Sequence, residues 1–184
     1  MNRAILAALF VCLAIPAAAS AAEESNPLAR FHTHGGVAFA FAPGSPNAYG
    51  IGAVAEPVFS IFDQLRVGLR ADGEVLVSLD IGGSNVYAGL HVLAAALPKI
   101  EFDFTGGDIR PFVGFGAGVY TVVVLGGGTG GASILAGTGI GVMPQLGINF
   151  GGFRIAGQYH AVLTGPGAAA NAFALELSGT FFGI

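Results

Sequence analysis

The amino-acid sequence predicts an all-β protein, a closed eight-stranded antiparallel up-and-down transmembrane β-barrel. Two observations carry this prediction: charged and apolar side chains alternate with a period of two, and glycines in the most apolar region follow the same period. Successive side chains of a strand point to opposite faces, so this period indicates strands with one polar and one apolar face. In residues 86–104 every even position is apolar, whereas His91, Lys99, Glu101 and Asp103 are at odd positions.

The same alternation predicts eight strands, each long enough for the about 9–11 residues that a tilted membrane strand needs. They are predicted at Phe31–Phe41, Gly50–Phe62, Leu65–Leu79, Val86–Phe104, Ile109–Leu125, Ile134–Asn149, Phe153–Leu163 and Ala172–Ile184. The fourth is longer than one crossing requires, so we expect it to bend near Pro98 or to project beyond the membrane. Tight turns alternate with longer loops, which we expect at residues 42–49, 80–85, 126–133 and 164–171. This arrangement places both chain termini on the side of the tight turns.

Two transmembrane helices are the rival interpretation of the region between Arg110 and Arg154, which contains no charged residue. Glycines recur there at every second position, in residues 114–118 and again in residues 137–141. Each glycine inside a helix costs about 1 kcal/mol relative to alanine. On a strand, the same spacing places all of them on one face, so the glycines favour strands.

The polar residues of the predicted strands share one face, which we assign to the barrel interior. A lipid-facing Arg or Lys costs about 2–4 kcal/mol at the bilayer midplane, so a membrane barrel has reason to enclose them. A soluble lipocalin-like barrel would reverse the faces, but its fifth and sixth strands would then expose mostly Gly and Ala. The interior polar network is predicted to contain Glu56, Arg66, Arg70, Asp72, Glu74, Glu101, Asp103, Arg110, Arg154, His160 and Glu176.

Aromatic residues are predicted to form two bands, one at each end of the strands, as interfacial aromatic belts do. The band on the turn side contains Phe31, Phe59, Phe102, Phe104, Phe153 and Phe181. The band on the loop side contains Phe39, Phe41, Tyr49, Tyr159 and Phe173.

The first 21 residues have the features of a cleaved secretory signal peptide. Arg3 provides the positive start, an apolar run follows at 4–15, and small residues at positions 19–21 form a cleavage site. We therefore predict a signal peptide at 1–21 and one barrel domain at 22–184. Cys12 is the only cysteine and lies inside this signal, so we expect no disulfide in the mature chain. The net charge of −4 argues against a nucleic-acid partner.

Three segments resemble the eight-stranded outer-membrane β-barrel family, the OmpA/OmpX-like barrels. Residues 63–70 resemble its first periplasmic turn and third strand, residues 109–118 its fifth strand, and residues 175–182 its closing strand. The family usually ends on an aromatic residue, whereas this chain ends Phe182-Gly183-Ile184. The resemblance implies export to the outer membrane of a diderm bacterium. There the barrel would contact membrane lipid, use the barrel-assembly machinery during insertion, and act as a monomer.

A glycine motif, Gly126-x-Gly128-x-x-Gly131, matches the dinucleotide-binding fingerprint after an apolar run. That fingerprint requires a helix next and an acidic residue about 20 positions later. No Asp or Glu occurs between Asp108 and Glu176, so we interpret the motif as a loop.

Two further groups of residues suggest a site, and neither carries one. His32 and His34 share a face as metal ligands do, but no cysteine or clearly placed carboxylate accompanies them. His160, Glu176 and Ser178 share the inward face of the last two strands, as a Ser/His/acid set would. A barrel of eight strands is just wide enough for side chains to fill it, so we interpret this set as part of a polar filling.

The sequence thus predicts a structural role in envelope integrity for a barrel with a filled polar interior. We expect no catalysis, no metal and no cofactor. A narrow passive pore for small solutes is the alternative, and a lipid-modifying outer-membrane enzyme is the least favoured one. The loops are short and poor in charge, and they identify no surface partner.

Overall fold

The computed structural model describes residues 31–44, 46–82, 85–128, 131–165 and 171–183. It confirms the predicted fold class, because the strands follow one another around a closed antiparallel barrel in which β8 pairs with β1. The strands are β1 Phe31–Ala42, β2 Ala48–Ser60, β3 Leu65–Gly82, β4 Asn85–Asp103, β5 Ile109–Gly128, β6 Gly131–Phe150, β7 Phe153–Val162 and β8 Ala172–Gly183. The predicted signal peptide lies outside the described residues. Among the described residues, no helix is long and apolar enough to cross a membrane.

The connections define two ends of the barrel. The links from β2 to β3, β4 to β5 and β6 to β7 are at the turn end, where β1 begins and β8 ends; the other links are at the loop end. The tightest described turn is Gly151-Gly152, between the paired residues Phe150 and Phe153. Gly151 has a φ of 58°, a backbone conformation that a residue with a side chain rarely adopts.

Two of the predicted loops are shorter than expected because their glycines pair as strand. Gly82 pairs with Asn85, and Gly128 pairs with Gly131, so most of residues 80–85 and 126–133 belongs to the ladders. The interpretation of the 126–131 glycine motif as a loop is therefore wrong for Gly126, Gly128 and Gly131. They lie in β5 and β6, with no helix after them.

The long fourth strand projects at the loop end, as one of the two expectations had it. β4 pairs with β3 without a register shift from Asn85 to Phe102. At the loop end, the last residue of β3 that pairs with β2 is Ser78. The last residue of β6 that pairs with β7 at this end is Gly141. The loop-end portions of β3 to β6 thus extend beyond the rest of the barrel, and residues 131–136 are exposed on both faces.

The outer surface is apolar, and its aromatic side chains lie toward both ends of the strands. Tyr159 packs on Phe173 with ring centroids 4.5 Å apart at the loop end. Phe150 stacks on Phe153 at 6.1 Å at the turn end. From Phe31 to Phe41, a tilted strand rises about 25 Å, the height of the apolar band on an outer-membrane barrel.

The inner face changes character along each strand. Toward the turn end, and on β3 as far as Glu74 opposite Leu93, it carries the charged network. We define this network as Glu56, Arg66, Arg70, Asp72, Glu74, Lys99, Glu101, Asp103, Arg110, Arg154 and Glu176. Toward the loop end it carries the apolar cluster, which we define as Leu93, Ala95, Leu97, Tyr120, Val122, Met143 and Val162. A second group of apolar residues, mostly alanines and including Ala38, Val54 and Leu76, covers the wall formed by β1, β2, β3 and β8.

Candidate functional site

The structure places every residue of the predicted interior network on the inner face of its strand. All are buried except Arg110, whose side chain is 35% exposed at the turn end. The other charged members are 5% exposed or less, so water reaches almost none of them. Because an unpaired buried charge is costly, the pairing of these groups decides whether the interior is stable.

Two carboxylates form the centre of the network, and each contacts three cations. Glu56 accepts hydrogen bonds from Lys99 at 2.7 Å, Arg70 at 3.0 Å and Arg154 at 3.2 Å. Glu101 accepts from Arg154 at 2.8 Å, Lys99 at 2.9 Å and Arg66 at 3.1 Å. These contacts join β2, β3, β4 and β7 across the interior.

Arg70 is the most densely bonded cation. Its guanidinium donates to Asp72 and Glu176, both at 2.7 Å, and to the amide oxygen of Gln158 at 2.6 Å, besides its bond to Glu56. The amide of Gln145 adds a bond to Glu176 at 2.8 Å. Arg70 thus bonds to carboxylates from β2, β3 and β8 and also to the Gln158 amide. Its planar guanidinium carries five N–H donors, so it can bond to several acceptors at once.

Closer to the turn end, Arg66 pairs with Asp103 as well as with Glu101. The Nη1 of Arg110 is 3.8 Å from Asp103, the longest of the Arg and Lys ion pairs in the network. Arg154 also donates to the side-chain oxygen of Asn149 at 2.9 Å and lies 4.7 Å from the centroid of the Phe112 ring.

His160 does not form a catalytic set with Ser178 and Glu176. Its Nδ1 is 3.2 Å from the Tyr120 hydroxyl, and its Nε2 is 3.1 Å from the Gln158 amide and 3.3 Å from Glu74. Ser178 instead donates its hydroxyl proton to Glu176 at 2.5 Å. A nucleophilic serine would need the imidazole as its base, whereas here the serine is bonded to the carboxylate.

The histidines at the start of β1 pack against each other. The His32 and His34 rings meet edge to face with centroids 4.8 Å apart. Among the described residues, no three His, Cys, Asp or Glu side chains are grouped so that they could hold a metal ion.

The inward glycines of β5 and β6 make room for larger side chains. A Cβ added at Gly141 would lie 2.6 Å from the Tyr120 ring, and one at Gly147 would lie 2.8 Å from the Phe112 ring. At Gly116 the nearest atoms belong to Leu97 and Met143. Side chains therefore occupy the space that the glycine period leaves along this wall.

Several interior residues that the predicted network omits belong to it. Lys99 bridges Glu56 and Glu101, and three uncharged residues add hydrogen bonds, namely Gln145, Asn149 and Gln158. Each lies at the inward parity of its strand, so parity alone could have added them to the prediction. Parity could not have shown which cation meets which carboxylate.

Two cavities open at opposite ends of the interior. The one at the loop end, about 190 Å³, lies over Leu76, Leu93 and Val122, and Ser78 and His91 form its polar side. The one at the turn end, about 240 Å³, is lined mainly by polar groups, among them Arg66 and Arg110.

The fold is similar to that of solved outer-membrane barrels. The attachment invasion locus protein Ail of Yersinia pestis is 12% identical, with 82% of this chain and 95% of that chain covered at a TM-score of 0.50. Neisserial surface protein A is 20% identical, with 82% and 94% covered, also at 0.50. One Ail structure contains the heparin analogue sucrose octasulfate. No protein-family model matches the sequence, and the comparison with curated proteins gives no match. The predicted resemblance to eight-stranded outer-membrane barrels is confirmed at the level of the fold.

Proposed function

We propose that this chain is an integral outer-membrane protein with a structural, envelope-integrity role and a filled, non-conducting interior. The filling of the barrel between its two ends is the observation that supports this most. A water-filled channel would leave its lining side chains accessible, but six large interior side chains are 0% exposed: Arg70, Leu97, Tyr120, Met143, His160 and Glu176. They come from six strands, β3 to β8. Leu97, Tyr120 and Met143 pack together, Tyr120 contacts His160, and Arg70 bonds to Glu176.

The outer surface supports the membrane location. Large apolar side chains such as Ile51, Leu69 and Leu146 are more than half exposed on every side of the barrel. Soluble monomers rarely expose continuous apolar surface of this extent, whereas a bilayer covers it. We propose that the barrel is a monomer that contacts lipid directly and reaches the membrane through the barrel-assembly machinery.

Heat modifiability tests the membrane barrel. The folded protein in detergent should migrate differently on gels before and after boiling, and its circular dichroism should be that of strands. A helical spectrum in detergent would rule out the proposed protein.

A narrow passive pore is the second candidate, and the paired cavities favour it. Between them lie the apolar cluster and the charged network, so conduction would require these side chains to move. We expect no stable conductance steps from the purified protein in planar bilayers. Reproducible channels that widen in Tyr120→Ala, but not in the outward-facing control Tyr159→Ala, would establish the pore instead.

Two other roles receive less support. A lipid-modifying enzyme is disfavoured because Ser178 is bonded to Glu176 and both are buried inside the barrel.

Binding of a sulfated polysaccharide, which the Ail complex with a heparin analogue brings into consideration, needs cations at the loop end. The sequence has no Lys or Arg in residues 42–50, 80–91, 122–138 or 162–173, which include the described loop-end portions of the strands.

A further inference from the structure

The cavity at the turn end is lined by polar side chains from several strands. His34 of β1, Arg66 of β3, Arg110 of β5 and Asn149 of β6 line its volume of about 240 Å³. A phosphate or carboxylate group fits a volume of this size with space left for water. β1 begins and β8 ends at this end, which corresponds to the periplasmic side of an outer-membrane barrel.

Two nitrogen atoms at this cavity lack a partner among the described residues. His34 is 5% exposed, and its Nε2 has no hydrogen-bond partner, whereas its Nδ1 is 3.4 Å from the Thr180 hydroxyl. When that hydroxyl donates to Nδ1, the ring proton is on Nε2, which then becomes a free donor. The Nε of Arg110 is also buried without a partner. A buried donor without an acceptor is costly, so both atoms favour an acceptor in the cavity.

Arg110 is the most weakly paired cation of the charged network, which holds five cations and six carboxylates in all. Arg66, Lys99 and Arg154 each bond to two carboxylates, and Arg154 also bonds to Asn149. Arg110 has only its long contact to Asp103 among the described residues, and it is also the side chain with the unpartnered nitrogen.

We propose that this cavity binds a small anion with a phosphate or carboxylate group, held by the guanidinium of Arg110 and by Nε2 of His34. The anion accepts from both unpartnered donors and pairs with the weakly compensated guanidinium of Arg110. Charge-assisted hydrogen bonds of this kind are about twice as strong as neutral ones. The binding does not depend on whether the barrel conducts, and it adds a ligand site to a barrel that is otherwise filled.

Calorimetric titration of the barrel folded in a nonionic detergent at low ionic strength tests the proposal, with inorganic phosphate and acetate as probes. We expect saturable binding of one anion per barrel. Arg110→Gln should lower the affinity at least about tenfold, because a hydrogen bond to a charged group contributes about 1.5–3 kcal/mol. His34→Phe should lower it in the same direction. Heat modifiability verifies that each variant is folded.

Gln64→Glu is the matched control, because it changes the net charge as Arg110→Gln does, on an exposed residue at the same end. It should leave the affinity nearly unchanged. An equal loss in this control would overturn the proposal, since the effect would then be general electrostatics, and so would the absence of saturable binding of either probe. Adding phosphatidylglycerol to the detergent separates two sources of the anion. Competition with phosphate supports a lipid headgroup, and its absence supports a soluble anion.

Discussion

On β4, one continuous inner face changes from Lys99 and Glu101 toward the turn end to Leu93 and Leu97 toward the loop end. β8 changes in the same way, from Glu176 to small alanines. Lys99 and Leu97 are neighbours on this face and are almost equally buried. The Lys99 ammonium, however, bonds two specific carboxylates, whereas Leu97 packs in the apolar cluster.

The difference teaches that the two parts resist change for different reasons. In the charged network most groups bond to partners from other strands, and removing one leaves its partners buried without compensation. In the apolar cluster the requirement is volume and shape, which related side chains can meet in more than one way. We therefore expect the turn-end part to be sensitive to chemistry and the loop-end part to be sensitive to space.

Arg70→Leu is the change in the charged network that we expect to destabilise the barrel most. It removes the bonds to Asp72 and Glu176 and leaves their charges buried, so we expect a loss of about 3–5 kcal/mol in the free energy of unfolding. Urea unfolding of the barrel folded in lipid vesicles measures this loss. The neighbouring lipid-facing change Leu69→Val should cost much less, and equal unfolding midpoints for the two variants would contradict the distinction.

Gly141→Ala probes the space on the loop-end side. The added Cβ would meet both the Tyr120 ring and the Ala161 carbonyl at 2.6 Å, so we expect a cost of about 1–3 kcal/mol in unfolding free energy. The matched control is Gly157→Ala, which meets nothing within 4 Å on the outer face. If the control destabilises the barrel as much, strand preference rather than packing explains the loss.

Leu97→Met is the mildest change, and it tests whether the apolar cluster tolerates a different side chain of similar volume. The two side chains have similar volume and Met is flexible, so the variant should unfold within about 1.5 kcal/mol of the wild type. The companion change Lys99→Met, made two residues away on the same face, should cost clearly more because Glu56 and Glu101 lose their ammonium partner. Similar midpoints for both variants would mean that the ion pairs contribute no more than filling.

The fold could be predicted from the sequence because membrane strands repeat one rule at every second residue. Inward Glu56 and outward Leu69 follow directly from parity. The ends of β3 to β6 could not be predicted, because Gly82, Gly128 and Gly131 have the composition of loops although they pair in ladders. At these glycines, hydrogen-bond pairing with the neighbouring strand outweighs the local preference for a turn.

The partners within the interior could not be predicted either, since they depend on how far each strand is shifted against the next. Arg154 meets Glu56 and Glu101 rather than the carboxylate of adjacent β8, and Ser178 turns to Glu176 rather than to His160. Parity places a side chain inside the barrel, but only the register around the full circumference decides its contacts.

The pairing of Arg154 with Glu56 and of Arg70 with Glu176 has a consequence for the order in which the barrel assembles. These partners are 98 and 106 residues apart in the chain, and they approach only when the last strands have reached the first ones. A half-built sheet in lipid would present lone carboxylates and guanidinium groups to hydrocarbon, at a cost of several kcal/mol for each. Strand insertion and closure are thereby coupled, and partly inserted intermediates are selected against.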